Sequence, residues 1–139
     1  MNKIKTNIYN IYYRKRKEQL LFGSKNLLDF KKIRNPFGRW AADPFLIEYN
    51  GCNYIYAEMA SIITRKGDIY CINIDDKKPK WKKCIRNKFH MSFPNVFLHN
   101  NCYYIVPETA QDYQVAIYKA IKMPYKWAKE TTLLYDEQN

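Results

Sequence analysis

The amino-acid sequence predicts an all-β fold built as part of a β-propeller, and three observations carry that expectation. Residues 44–58 (PFLIEYNGCNYIYAE) recur as residues 94–108 (PNVFLHNNCYYIVPE), a shift that sets Pro44 on Pro94, Cys52 on Cys102 and Glu58 on Glu108. Both copies hold runs rich in Tyr, Ile, Val and Phe, the residues that suit a pleated surface. Asn50-Gly51 in the first copy is a strong two-residue hairpin signal. A period of about fifty residues with four strands in each repeat marks a propeller blade. A small sandwich is the alternative, but it leaves the period without a cause.

The elements follow in order. Asn7–Tyr13 and Leu28–Ile33 read as the end of an earlier unit, inside a basic segment spanning residues 1–40. Residues 41–90 form one blade, with strands at Phe45–Tyr49, Cys52–Ala57, Asp68–Ile74 and, more weakly, Trp81–Ile85. Residues 91–139 form the next, with strands at Val96–His99, Cys102–Val106, Gln114–Ala120 and Trp127–Leu134. The inner runs alternate poorly between apolar and polar, as strands covered on both faces do. Residues 1–139 therefore read as one partial domain of about two and a half four-stranded blades. Propellers close with roughly four to eight blades, and an open arc leaves a blade face and strand edges uncovered. The chain accordingly reads as a fragment, a truncated product or half of an assembly.

Composition narrows the class. With 47% hydrophobic residues and 13 tyrosines the chain is too rich in core formers for a disordered tail. No apolar run has the length of a membrane-spanning helix, and the N-terminus lacks a signal-peptide core, so the expected location is the cytoplasm. Cys52, Cys71, Cys84 and Cys102 form no C-x-x-C pair, which argues against zinc, and a disulfide framework is not expected. No metal or other cofactor is implied. The net charge of +11 is uneven: residues 1–40 hold eleven bases and two acids, and residues 77–90 seven bases and no acid. These stretches read either as a patch for nucleic acid or another anionic polymer, or as solvated strands and loops; no nucleic-acid motif accompanies them.

Three segments carry a family resemblance: Trp40-Ala41-Ala42-Asp43-Pro44-Phe45-Leu46, Phe93-Pro94-Asn95-Val96-Phe97 and Ile105-Val106-Pro107-Glu108-Thr109. Over roughly residues 35–135 the chain resembles the N-terminal domain of glucosamine inositolphosphorylceramide transferases. Related domains occur in bacterial proteins linked to formyltransferases and surface-polysaccharide genes. That domain is similar to the five-bladed propellers of family 43 glycoside hydrolases. The resemblance implies a five-bladed parent fold, a carbohydrate or glycolipid substrate, and a fused or associated transferase domain.

The hairpin also serves as a ruler. With Asn50 and Gly51 at the turn, Tyr49 is expected opposite Cys52, Phe45 opposite Tyr56, and Asp43 opposite Glu58. Opposed side chains have Cβ atoms about 4.5–5.5 Å apart, and two carboxylates that close resist joint ionisation. The pair reads as a general acid or base, a clamp for sugar hydroxyls, or a hard-cation site. The structural alternative has Glu58 bonded to backbone amides and Asp43 in an Asx turn before Pro44. In the second copy the same register sets Phe93 against Glu108, so the acid pair is not repeated. The resembling glycosidases place acids at the starts of several innermost strands; Asp43 matches such a position and Phe93 does not. Inverting hydrolysis needs carboxyls about 6.5–9.5 Å apart, wider than this hairpin permits, so no complete hydrolase site is visible.

The candidate site is then Asp43, Glu58 and Glu108 for chemistry, with Trp40, His90 and Ser92 for ligand binding. Trp40 offers a ring to the C–H face of a sugar. His90 and Ser92 offer groups for a hydroxyl or phosphate, or close a loop. Trp81 and Trp127 read as core, His99 as solvated, and Cys52 and Cys102 as small apolar fillers. No Gly-rich phosphate loop, G-x-S-x-G or H-E-x-x-H occurs. Three functions are expected in turn: an accessory or substrate-recognition module in surface glycan or glycolipid assembly; a glycosidase or glycosyltransferase lacking part of its site; and a basic module for nucleic acid or anionic polymer.

Overall fold

A computed structural model describes residues 8–15, 29–109 and 112–135. Those residues form three antiparallel sheets and no α-helix. The first pairs β1 (Tyr12–Tyr13) with β2 (Lys31–Lys32). The second has the order β3 (Arg39–Tyr49), β4 (Cys52–Ser61), β5 (Gly67–Asn73), β6 (Lys82–Ile85). The third repeats that meander with β7 (Ser92–His99), β8 (Cys102–Glu108), β9 (Gln114–Lys122) and β10 (Lys126–Tyr135). Asn7, Leu28 and the bases Arg16 and Lys17 lie outside the described residues.

Both repeats turn as a two-residue hairpin should. Asn50 and Gly51 have φ of 50° and 71°, and Asn100 and Asn101 have 46° and 59°. Two consecutive positive φ values match the right-handed twist of the flanking strands, and Asn and Gly are the residues that tolerate them. The pairings Tyr49–Cys52 and Phe45–Tyr56 form as the turn dictates.

Below them the register departs from expectation. Ala42, not Asp43, lies opposite Glu58, because Asp43 and Pro44 sit together in a β-bulge. The second copy does the same: Ser92, not Phe93, lies opposite Glu108, with Phe93 and Pro94 in the bulge. The cause is in the sequence. A proline has no N–H for the ladder, and an extra unpaired residue lets the strand pass it. Asp43 and Phe93 absorb the bend with φ of 50° and 46°.

Packing follows the period of two. From β4, Ile55, Ala57 and Met59 point to the first sheet and join Ile11, Ile33, Ala41 and Ile72 in one core cluster. Tyr56 points the other way, into a second cluster with Ile69, Cys71, Ile85, Met91, Ile105 and Tyr118 between the second and third sheets. The poor alternation thus has its expected cause: β4 is buried from Ile55 to Ala60. Tyr56 is fully buried, and its hydroxyl donates to the Pro124 carbonyl at 2.6 Å. Its ring stands edge-on to Trp127 at 5.6 Å. Trp81 and Trp127 pack partly buried against the two clusters. Strand β3 packs beside β7 and β6 beside β10, so the two four-stranded sheets stack in the same sense.

Candidate functional site

Glu58 is the centre of the site. It lies on β4 between Ala42 of β3 and Ile69 of β5, and only 4% of its surface is exposed. The bulge brings the Asp43 side chain to it, so the two carboxyls meet by hydrogen bond although they are not register partners. Burial, then the charge of Asp43 and the hydrogen bond with it, then the charge of Glu108, push the Glu58 carboxyl up to about 7. A protonated Glu58 has a proton to donate to the neighbouring carboxyl. Oε1 of Glu58 is buried without a hydrogen-bond partner and faces His90 Nε2 at 3.5 Å.

His90 is oriented from behind. The Gly67 N–H donates to its Nδ1 at 3.0 Å, which places the ring proton of the neutral imidazole on Nε2, toward Glu58. Gly67 is required here by space: a Cβ on it would lie 2.8 Å from Glu58 Cγ and Oε1 and 2.7 Å from the Met91 carbonyl oxygen. The Met91 N–H donates in turn to the Gly67 carbonyl at 3.0 Å. A backbone pair between β5 and the entry to β7 thus fixes the imidazole against the carboxyl.

In the second copy Ser92 Oγ donates to Glu108 Oε2 at 3.4 Å, and Glu108 is exposed. On the opposite side of Glu58, Trp40, Ala42, Asp43 and Pro44 line a cleft of about 520 Å³ together with Glu58, Tyr9 and Asn10. The Tyr9 ring tilts against Trp40 at 5.2 Å between centroids. Trp40 Nε1 is buried without a hydrogen-bond partner. Trp40 and Glu58, which both line the cleft, thus each carry a buried polar atom without a hydrogen-bond partner, Trp40 Nε1 and the Glu58 Oε1 that faces His90. Phe45 and Phe93 meet edge to face at 5.0 Å and tie the two bulges together.

The six residues singled out from the sequence thus fall into connected positions. Trp40, Asp43 and Glu58 share the cleft; His90 abuts Glu58; Ser92 holds Glu108, whose charge reaches Glu58. Sequence reasoning missed Gly67, Tyr9 and Asn10. Gly67 has the one available signal, as one of only four glycines; the other two carry none. Asp68, next to Gly67, bonds Lys66 at 2.7 Å and Lys83 at 3.1 Å. Its burial acts to raise its pKa, but the two lysines outweigh that and hold it below the usual carboxylate value. Among the described residues no group of three or more His, Cys, Asp and Glu side chains is arranged to hold a metal ion.

The profile described as glucosamine inositolphosphorylceramide transferase 1, N-terminal, matches residues 32–137. The chain belongs to this family. The match contains Trp40, Asp43, Glu58, Gly67, His90, Ser92 and Glu108, while Tyr9 and Asn10 precede it. Glucosamine inositolphosphorylceramide transferase 1 of Arabidopsis thaliana is 34% identical over 96 residues, covering 67% of this chain and 12% of that protein. The proteins of the same name from Oryza sativa subsp. indica and subsp. japonica are each 29% identical over 98 residues, covering 68% of this chain and 13% of theirs. The chain thus spans about an eighth of the length of the curated relatives it matches. No solved structure matches it. No helix among the described residues is long and apolar enough to cross a membrane.

Proposed function

We propose that this chain is a carbohydrate-recognition module, part of a β-propeller, that serves glycan or glycolipid assembly through the cleft between Trp40, Asp43 and Glu58. One observation carries the reading. Two acidic residues, Asp43 and Glu58, line one cleft together with the aromatic residues Trp40 and Tyr9. Sugar hydroxyls donate and accept at once, which suits a cleft holding two carboxyls, each hydrogen bond formed contributing about 0.5–1.5 kcal/mol. The paired aromatic rings of Tyr9 and Trp40 add an apolar platform. Two stacked four-stranded meanders with their first strands adjacent support the blade reading of residues 41–90 and 91–139, and the two-stranded first sheet supports a partial blade before them. Family membership supports the sugar or glycolipid class, since its members' name joins glucosamine to inositolphosphorylceramide.

A second reading, glycosyl hydrolysis or transfer in the cleft, draws on the Glu58 carboxyl standing near neutrality beside Asp43. The spacing works against it. Hydrogen-bonded carboxyls are closer than the ~5–5.5 Å of retaining pairs or the ~6.5–9.5 Å of inverting ones, so this pair does not bracket a glycosidic bond. Recognition is the better use of the geometry.

Asp43→Asn separates the site from a turn. With a like charge removed, Glu58 should titrate part of the way from about 7 toward its ordinary 4.5, burial holding back the remainder. Binding on a glycan array should weaken about tenfold for the loss of one charge-assisted hydrogen bond, with the fold unchanged. An Asn variant that loses stability while Glu58 titrates as before identifies Asp43 as a turn residue and ends this proposal. The wild type carries a pH signature as well. Folded Glu58 keeps its proton to about pH 7 and the unfolded chain releases it near 4.5, so its contribution to stability falls as pH rises through that window, by at most ~3 kcal/mol. Asp68 acts oppositely: its contribution is present at neutral pH and is lost as pH falls below the usual carboxylate value.

A further inference from the structure

The third sheet shows to solvent the face that the second sheet buries. On the second sheet Ile47, Tyr54 and Tyr56 belong to the core between the two sheets. The shift of fifty residues sets them on Phe97, Tyr104 and Val106. Side chains alternate along a strand, so Tyr104 and Val106 point away from the second sheet while Ile105 between them points into that core. Phe97 is the register partner of Tyr104, and the two rings stack at 5.7 Å between centroids. Ile117 and Ile121 carry the same face across β9, alternating with the inward Tyr118, and Leu134 extends it onto β10 as the partner of Val115. Among the described residues no further sheet lies over it.

Size and charge decide what fits there. Four strands about 4.8 Å apart and about eight residues long, at about 3.3 Å each, make a face of roughly 500 Å². Exposed apolar patches of this order mark interaction sites, and two such faces together cover the ~1,000 Å² at which specific interfaces begin. Lys119 sits opposite Tyr104 in the middle of the face, and its ammonium is paired with Glu130 at 3.6 Å. The charge set among the apolar groups is therefore compensated by its own neighbour. Residues 91–139, which include the whole sheet, hold four bases and five acids, so the +11 of the chain resides in residues 1–90. A near-neutral face attracts neither a polyanion nor a strongly basic protein. It tolerates its own copy, because the bases of both chains lie elsewhere in sequence, and a twofold axis needs only one patch that meets itself.

We propose that this outer face is a dimer interface, two copies of the chain pairing third sheet to third sheet about a twofold axis. Stacked sheets lie about 10 Å apart, close enough for Phe97, Val106, Ile117 and Ile121 of the two copies to interdigitate. The cleft of Trp40, Asp43 and Glu58 is no part of this surface, so the dimer stands apart from the sugar-binding reading. An area at the low end of the specific range gives a reversible dimer that dissociates on dilution. Stability measured in dilute solution is then that of the monomer.

Sedimentation equilibrium of the full chain at rising concentration should show a monomer–dimer equilibrium that stops at two. Backbone amide spectra recorded dilute and concentrated should differ at Phe97, Val106, Ile117 and Ile121, and not in β1 or β2. Ile121→Lys and Phe97→Ser should each weaken the dimer about tenfold or more. Both side chains are exposed, so the circular dichroism should stay that of the wild type. Ile63→Lys removes an equally apolar, exposed side chain from the turn between β4 and β5, and should change the dimer less than about twofold. Where a substitution disturbs the fold, the amide shifts of the wild type decide. A chain that stays monomeric at every concentration overturns the proposal. So does assembly that grows past the dimer, concentration-dependent shifts centred on β1 and β2, or an Ile63→Lys loss equal to that of Ile121→Lys.

Discussion

The second and third sheets are two copies of one backbone in different surroundings. Both turn on two residues of positive φ, and both bulge at a positive-φ residue ahead of a proline. Yet Glu58 is buried and Glu108 exposed; Tyr56 is fully enclosed, while Val106, its counterpart, is half-buried. The second sheet has a neighbour on each face. Among the described residues the third has one on the face of Ile105 and Tyr118, while on the other Phe97 and Ile121 are 38% and 70% exposed. Local sequence set the shared backbone. The neighbours decided which copy holds the shifted carboxyl: burial first, and then the charges of Asp43 and Glu108, push Glu58 up.

The largest expected effect tests that difference in packing. Tyr56→Ala removes a fully buried ring and strands the Pro124 carbonyl, and should cost about 3–5 kcal/mol. Val106→Ala at the equivalent place should cost about 1 kcal/mol, since a half-buried side chain has less to lose. Chemical denaturation of both variants measures the gap. Comparable losses would mean that the outer face of the third sheet is covered in solution, and the contrast between the copies would collapse.

A smaller effect tests the site itself. Gly67→Ala places a methyl against the Glu58 side chain and the Met91 carbonyl. Overpacking of this kind costs about 1–3 kcal/mol, and here it must also move Glu58 away from His90. The expected result is a lower denaturation midpoint together with a Glu58 titration shifted from about 7. A variant as stable as the wild type, with Glu58 unmoved, would show that β5 does not press on the carboxyl.

What the sequence disclosed and what it hid divide along the same line. The fifty-residue repeat, the two hairpins and the burial of β4 on both faces were legible because each is local or periodic: Asn50-Gly51 specifies its turn, and Ile55 to Ala60 read as a run without alternation. The bulge was not. Counting from the turn put Asp43 opposite Glu58 and Phe93 opposite Glu108, and a positive φ at a residue before proline runs against the extended preference of that position. The pair survived the miscount because the extra residue brings the Asp43 side chain back to Glu58. Gly67 and Asn10 were illegible for a different reason. Their hydrogen bonds reach residues 23 or more positions away, and apart from the scarcity of glycine nothing in the sequence marks them.

The smallest effect concerns the turns, the part the copies share most closely. Gly51 has φ of 71°, and a Cβ there would meet no atom within 4 Å. Any loss in Gly51→Ala therefore reports backbone strain alone, about 1 kcal/mol for one residue held left-handed. The second copy already carries a side chain at that place: Asn101 has φ of 59°. Asparagine tolerates the left-handed region better than alanine does, so Asn101→Gly has less strain to relieve, and the added glycine freedom of the unfolded chain offsets part of it. The net should be a gain or loss of no more than a few tenths of a kcal/mol, by the same denaturation measurement. A loss above 1 kcal/mol would mean that the Asn101 side chain holds the hairpin through a contact of its own. The two turns would then be alike in backbone and different in what stabilises them, as the two sheets are.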